Sequence, residues 1–226
     1  MGYEWNFNIV LRNFDLLVEG LYNTLTVTSI SLVFGLVIGL TLAMMRLAQS
    51  RLFSIPAGIV IEFLRSTPPL VQLFWVFFAL PLIIGVAFEP LTACIITFSI
   101  QSAAFFAEVF RGGVISIDKG QWEGARAIGM NYWQMMRQVI LPQAILRMIP
   151  AFAERSIEVL KTTTLVATVA YSDLLYQGIA LSQQTYRPLE VFSVVAAMYF
   201  CVIFPISQGI NVLERYLSKG GEGTIH

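Results

Sequence analysis

Residues Arg111 to Pro142 read RGGVISIDKGQWEGARAIGMNYWQMMRQVILP, a polar stretch set between long apolar runs. Its charges and glycines would lack partners in lipid, so the segment belongs outside the hydrocarbon. It is also too regular for a passive linker. Gln121 to Ile128 is expected to form a short helix presenting Glu123 and Arg126 on one side. Gly129 should end that helix, because glycine takes the left-handed conformation a helix terminus needs. Asn131 is placed to cap a second short helix reaching Val139, and Leu141-Pro142 should stop it. Two short helices at an angle make a knob shaped for a cleft. The plainer alternative is a solvated charged loop.

The rest of the chain sets the environment of that segment. Of its residues 57% are hydrophobic and 12% charged, with mean hydropathy +0.73. A soluble domain carries about twice that share of charge, so the composition is that of an integral membrane protein. A net charge of zero argues against a nucleic-acid partner. Cys94 and Cys201 both fall inside apolar runs, which points to buried packing thiols and not to a disulfide or metal pair. The single histidine is His226, so histidine-based acid–base or metal chemistry within the membrane is excluded, and no metal site is expected. Glu4, Asp15 and Glu19 against Arg12 are the wrong charges for a secretory leader. Insertion through the first membrane helix is the expectation.

A span needs about 20 mostly apolar residues. Five segments qualify: Leu21 to Met45, Leu70 to Phe88, Leu91 to Ala107, Ala144 to Tyr171 and Leu189 to Leu213. The first contains Gly35 and Gly39 in GLVIG, a spacing suited to close helix packing. Ile55 to Leu64 is apolar but too short to cross, and Pro68-Pro69 breaks the chain after it. It reads as a buried or interfacial half-helix, with Glu62 and Arg65 paired on one face. Arg46, Arg51, Arg111, Lys119, Arg126, Arg137, Arg215 and Lys219 collect in one set of loops, and Arg12 and Arg187 in the other. The basic set should be cytoplasmic. The N-terminal segment 1–20 is then outside, 111–142 is a cytoplasmic loop, and the tail 216–226 is inside. The apolar body runs from 21 to 215.

No phosphate-binding GxxxxGK motif followed by Ser or Thr is present, nor HExxH, nor an obvious nucleophile–base pair. The chain holds no motor and no catalytic set of its own. At this point the residues carry a family resemblance. Glu123, Ala125, Gly129, Leu141 and Pro142 are similar to the loop Glu-Ala-Ala, three residues, Gly, later Ile-x-Leu-Pro, by which the permease subunits of bacterial ABC importers dock on their ATPases. Val139 replaces the isoleucine, and Gly124 an alanine, a change worth about 1 kcal/mol of helix propensity. Further likenesses to the polar amino acid group lie at Asn23-Thr24-Leu25, Arg65-Ser66-Thr67-Pro68, Ala107-Glu108 with Arg111-Gly112-Gly113, and Leu160-Lys161-Thr162-Thr163-Thr164-Leu165. They cover the chain from about residue 20 onward.

The resemblance implies an all-α, type I ABC importer transmembrane domain in a bacterial inner membrane, with its N-terminus periplasmic. It implies docking on the ATPase through Gln121, Glu123, Gly124, Ala125, Arg126 and Gly129. It implies two ATP-binding subunits that hold ATP and magnesium, a second permease chain (a copy or a sister), an external solute-binding protein and an amino acid substrate. This chain itself would hold no cofactor.

The fourth span raises the question of the path. Glu154, Glu158 and Lys161 recur at spacings that share one helix face. Charges at membrane depth face a bundle interior or a watery path. Either they form an internal network, with Glu158 pairing Lys161 or Arg155, or they line a transit site for a zwitterion. In the second case Lys161, Thr162, Thr163 and Thr164 would meet the carboxylate, and Glu158 or Glu154 the amino group. Gln101 is a further candidate for the path. Relative to the family, Glu154 replaces an asparagine and Thr162 an aspartate, and the two departures pull substrate charge preference in opposite directions. Two alternatives to the importer are an ion-coupled secondary carrier, which would need an internal repeat, and a membrane-embedded enzyme, which would need a catalytic set at one depth.

Overall fold

Apolar segments in lipid must satisfy their own backbone donors and acceptors, and a helix does so within one segment. The computed structural model describes residues 3–221. It is helical throughout, with no strand among the described residues. Met1, Gly2 and residues 222–226, including His226 and the end of the expected tail, lie outside the described residues.

In order, the helices are α1 (Asn8–Arg12), α2 (Phe14–Leu47), α3 (Arg51–Ser66), α4 (Pro69–Phe74), α5 (Leu80–Ile84), α6 (Pro90–Ile115), α7 (Lys119–Ala127), α8 (Tyr132–Met135), α9 (Leu141–Thr162), α10 (Leu174–Thr185) and α11 (Pro188–Gly221). Among the described residues, three elements are long and apolar enough to cross a membrane: α2, α6 and the Pro188–Leu213 part of α11. A bent pair, Arg51–Ser66 with Pro69–Ile84 at 104°, adds a fourth if it is one broken span. The break lies where expected: Pro68 is extended at φ −58°, ψ 135°, and Pro69 opens the next helix. The first span starts earlier than its apolar run, at Phe14, and the third runs past Ala107 to Ile115, taking Glu108, Arg111, Gly112 and Gly113 into helix. The fourth expected span is α-helical only to Thr162, followed by a 3-10 segment, Thr163–Val169.

Leu141-Pro142 does not stop the second loop helix. The chain stays helical from Tyr132 to Thr162 through a π segment, Met136–Ile140. The wide π turn has room for the proline ring and asks no hydrogen bond of its nitrogen, so the helix survives. Leu80-Pro81 follows another π segment, Trp75–Ala79, in the same way.

Two compact units share the chain. The first holds Met1–Val33, Thr67–Ser99 and Ile157–Ser207; the second holds Phe34–Ser66, Ile100–Ser156 and Gln208–His226. In the first, Val27, Leu73, Cys94, Phe98 and Val166 make one apolar cluster, and Val10, Leu17, Leu174, Leu181 and Val191 another. In the second, Val114, Ile117, Ala125, Met135, Ile140 and Met148 pack the docking segment, and Ala43, Ile61 and Ala107 pack α2, α3 and α6. Gly39 fulfils its packing role: a Cβ there would stand 2.8 Å from the Ala103 carbonyl oxygen. Cys94 is buried as expected, whereas Cys201 is exposed on α11, because the apolar run that holds it turns part of its surface outward.

Candidate functional site

The candidate docking segment, 111–142, is built by local rules. Asp118 caps α7 by accepting from the Gly120 N–H at 2.6 Å. Ala125 is buried, while Gln121, Glu123, Gly124, Arg126 and Gly129 are exposed. The helix ends as expected at Gly129, φ +79°. There the Met130 N–H donates to the Ala125 carbonyl (3.1 Å) and the Gly129 N–H to that of Arg126 (3.0 Å), a full Schellman closure. Nothing stands within 4 Å of where a Cβ at Gly124 would be, so the alanine of the family pattern would fit. Asn131 opens the next helix with a capping box: its Oδ1 accepts from the Gln134 N–H at 2.9 Å, and the Gln134 Oε1 accepts from the Asn131 N–H at 3.0 Å.

Two side chains tie this knob to the helix that follows it. Gln143 donates to the Gln121 Oε1 (3.2 Å) and to the Val139 carbonyl (2.9 Å). The Arg147 guanidinium donates to the Ser116 carbonyl at the end of α6. Ile128, Tyr132 and Trp133 are exposed beside the charged positions, Trp133 at 77%. Sequence reasoning passed over these three, although exposed aromatic residues next to a charged turn are what a protein interface uses as anchors.

A partly exposed ion cluster lies in the same unit. Glu108 accepts from Arg111 at 2.8 and 3.1 Å and lies 3.8 Å from Arg65. Arg65 also meets the expected Glu62, at 3.7 Å. Arg155 sits 4.6 Å from the centre of the Phe105 ring. These charges are thus paired across α3 and α6.

The candidate path residues are distributed unequally. Glu154, Glu158 and Lys161 are exposed on α9 and share the expected face. Gln101 is buried on α6. Thr163 is fully buried, donating to the Leu160 carbonyl at 2.7 Å and lying 3.4 Å from the Thr28 hydroxyl. Thr162 and Thr164 likewise donate to the carbonyls of Glu158 and Lys161, each at 2.8 Å. A hydroxyl has one proton to give. With all three given to backbone, Lys161 is the donor left among the residues expected to meet a carboxylate.

One polar group went unread in the sequence. Asp173 is fully buried and caps α10, accepting from the Tyr176 N–H at 2.8 Å. Asn23 and Thr24 of α2 bind the neighbouring backbone: the Asn23 amide donates to the Ser172 carbonyl, and the Leu174 N–H donates to the Thr24 hydroxyl. Burial pushes the Asp173 carboxyl up to about 6, against the pull of those backbone donors. A raised acid favours folding while protonated and loses that contribution as pH rises through about 6. The melting temperature of the purified protein should therefore fall between pH 4 and pH 7, and Asp173→Asn should flatten that slope. A slope unchanged by the substitution would clear Asp173 of the effect.

Residues 35–220 match the model of the family described as binding-protein-dependent transport system inner membrane component. The glutamine transport system permease protein GlnP of Escherichia coli K12 is 35% identical over 95% of this chain and 98% of its own length. A probable amino-acid ABC transporter permease, YckA of Bacillus subtilis, is 33% identical over 94% of each. A solved structure described as an amino acid ABC transporter with histidines superposes with a TM-score of 0.90, at 32% identity, over 95% of this chain and all of that one.

Proposed function

The chain belongs to the family of binding-protein-dependent transport system inner membrane components, and from that premise we propose how it works. It is a permease subunit of an ATP-driven importer for amino acids, one half of a gate in a bacterial inner membrane. Five spans cross, with α9 as the fourth in order, its charges turned to the path and away from lipid. The N-terminus lies outside and the docking segment in the cytoplasm. A second permease chain completes the path, two ATPase subunits bind ATP and magnesium, and an external protein delivers the solute. Closure of the ATPases pushes the knob at Glu123, and rigid-body motion exposes the path first to one side and then to the other.

The observation that carries this reading is the docking segment: a capped, glycine-closed helix with Glu123, Arg126, Ile128 and Trp133 all facing outward. Co-expression with the ATPase from the same operon and affinity capture of this chain tests it. Retention of the ATPase, lost when Trp133 and Ile128 become serine, is the expected result. Transport by the purified permease chains without any ATPase would favour the ion-coupled carrier.

Glu158 meets the solute in this reading. Glu158→Gln should shift the affinity for the transported amino acid by about tenfold, an interaction of about 1.4 kcal/mol, while the assembled complex elutes unchanged. A disrupted complex with an unchanged affinity would make Glu158 part of an internal ion network.

A further inference from the structure

Residues 3–7 form a strap ahead of α1. Tyr3, Trp5 and Phe7 alternate along it, and their rings line one edge. The rings confirm it: Tyr3 and Trp5 meet edge-on with centroids 5.5 Å apart, and Trp5 and Phe7 stack at 5.6 Å, 4° from parallel. All three are exposed, Trp5 at 57%.

The same segment is bonded to the head of α11, in part through Tyr3 itself, whose ring also lies 5.6 Å from the Arg187 guanidinium. The Tyr3 hydroxyl donates to Glu190 Oε2, the Asn6 N–H donates to Glu190 Oε1 at 3.0 Å, and Arg187 donates to the Glu4 carbonyl at 2.8 Å. Arg187 also reaches Glu190 at 3.4 Å. Glu190 is fully buried by this arrangement, and Val10 joins the core with Leu17 and Val191.

The bonds fix the depth of the strap. Glu190 lies in the first turn of α11, and no charged residue follows it until after Leu213. At its other end the strap leads through α1 into α2, where Asp15 and Glu19 are the last charges before the apolar run. Both attachments adjoin the ends of helices long and apolar enough to cross a membrane. We propose that Tyr3, Trp5 and Phe7 anchor the protein in the phospholipid headgroup–acyl boundary, and that the Glu190 lock holds the head of α11 at that depth. Lipid is the occupant that fits. The exposed rings of Trp5 and Phe7 carry no charge, they adjoin helices long and apolar enough to cross a membrane, and tyrosine and tryptophan prefer this zone because they have an apolar body and a polar handle. The inference rests on the membrane assignment and not on the choice of substrate.

The test uses the assembled transporter in phosphatidylcholine vesicles, with Trp75, Trp122 and Trp133 changed to phenylalanine so that Trp5 is the reporter in this chain. The partner subunits' tryptophans are removed by difference against the same complex carrying Trp5→Phe. Nitroxide labels on lipid, near the headgroup or near the acyl methyl, then probe depth. Trp5 emission should be quenched about twofold more by the shallow label than by the deep one. Quenching by aqueous acrylamide alone, or by a spin-labelled external binding protein in place of lipid, would overturn the anchor. A variant keeping Trp75 alone, on the broken span, serves as the control: if no lipid label quenches it, the membrane assignment itself fails, which separates the two failures. Should the triple variant not assemble, the wild-type minus Trp5→Phe difference spectrum gives the same readout.

Discussion

Glu123→Lys is expected to abolish ATP-driven uptake and leave insertion and folding intact. The side chain is exposed on α7, and nothing that builds the helix depends on it. The cap is Asp118, the buried foot is Ala125, and Gly129 closes the end. What changes is the charge shown to the partner. Placing like charges together across an interface costs several kcal/mol, enough to lower occupancy of the docked state by orders of magnitude. Uptake of labelled amino acid into vesicles containing the full complex measures the outcome, with captured ATPase as the second readout. Normal uptake with the ATPase still bound would remove Glu123 from the docking role.

The second large effect lies at Gly39. Gly39→Val places a Cβ 2.8 Å from the Ala103 carbonyl oxygen and 2.9 Å from Phe106 Cβ. Neither neighbour is the loose end of a side chain, so α2 and α6 must separate, at a cost of about 3 kcal/mol. The melting temperature of the detergent-solubilised chain should drop by several degrees, while Gly112→Ala, which meets nothing within 4 Å, leaves it in place. Equal stability of both variants would mean that close approach at Gly39 is not needed.

Much of the docking segment was legible because its rules are local. Gly129 and Asn131 act through neighbours three or four residues away, and both are found as read. The break before Pro69 is of the same kind. Pro142 misled for an instructive reason. A π turn precedes Pro142, and Pro56, Pro150 and Pro205 lie inside α-helices, so a proline in this chain does not by itself end a helix. The threonines at 162–164 were legible as polar but not as already engaged: Thr162 bonds back four residues within α9, and Thr163 and Thr164 bond back three.

The remaining misses are non-local. Glu190 reads as an ordinary first-turn acid until Tyr3 and Asn6 arrive from the other end of the chain. Asp173 lies in a stretch without strong periodicity, and α10 after it was not anticipated. Its meaning depends on Asn23 and Thr24 binding the backbone beside it, pairings that no pattern in sequence announces.

The helical run from Tyr132 to Ser156 has a mechanical consequence. At 1.5 Å per residue it is a shaft of roughly 37 Å, with the candidate docking surface as its crank. A tilt of about 10° at one end swings the other by roughly 6 Å. Stiffness along this one helix, more than the strength of any bond at the knob, would set how faithfully the motor's stroke is delivered to the cargo.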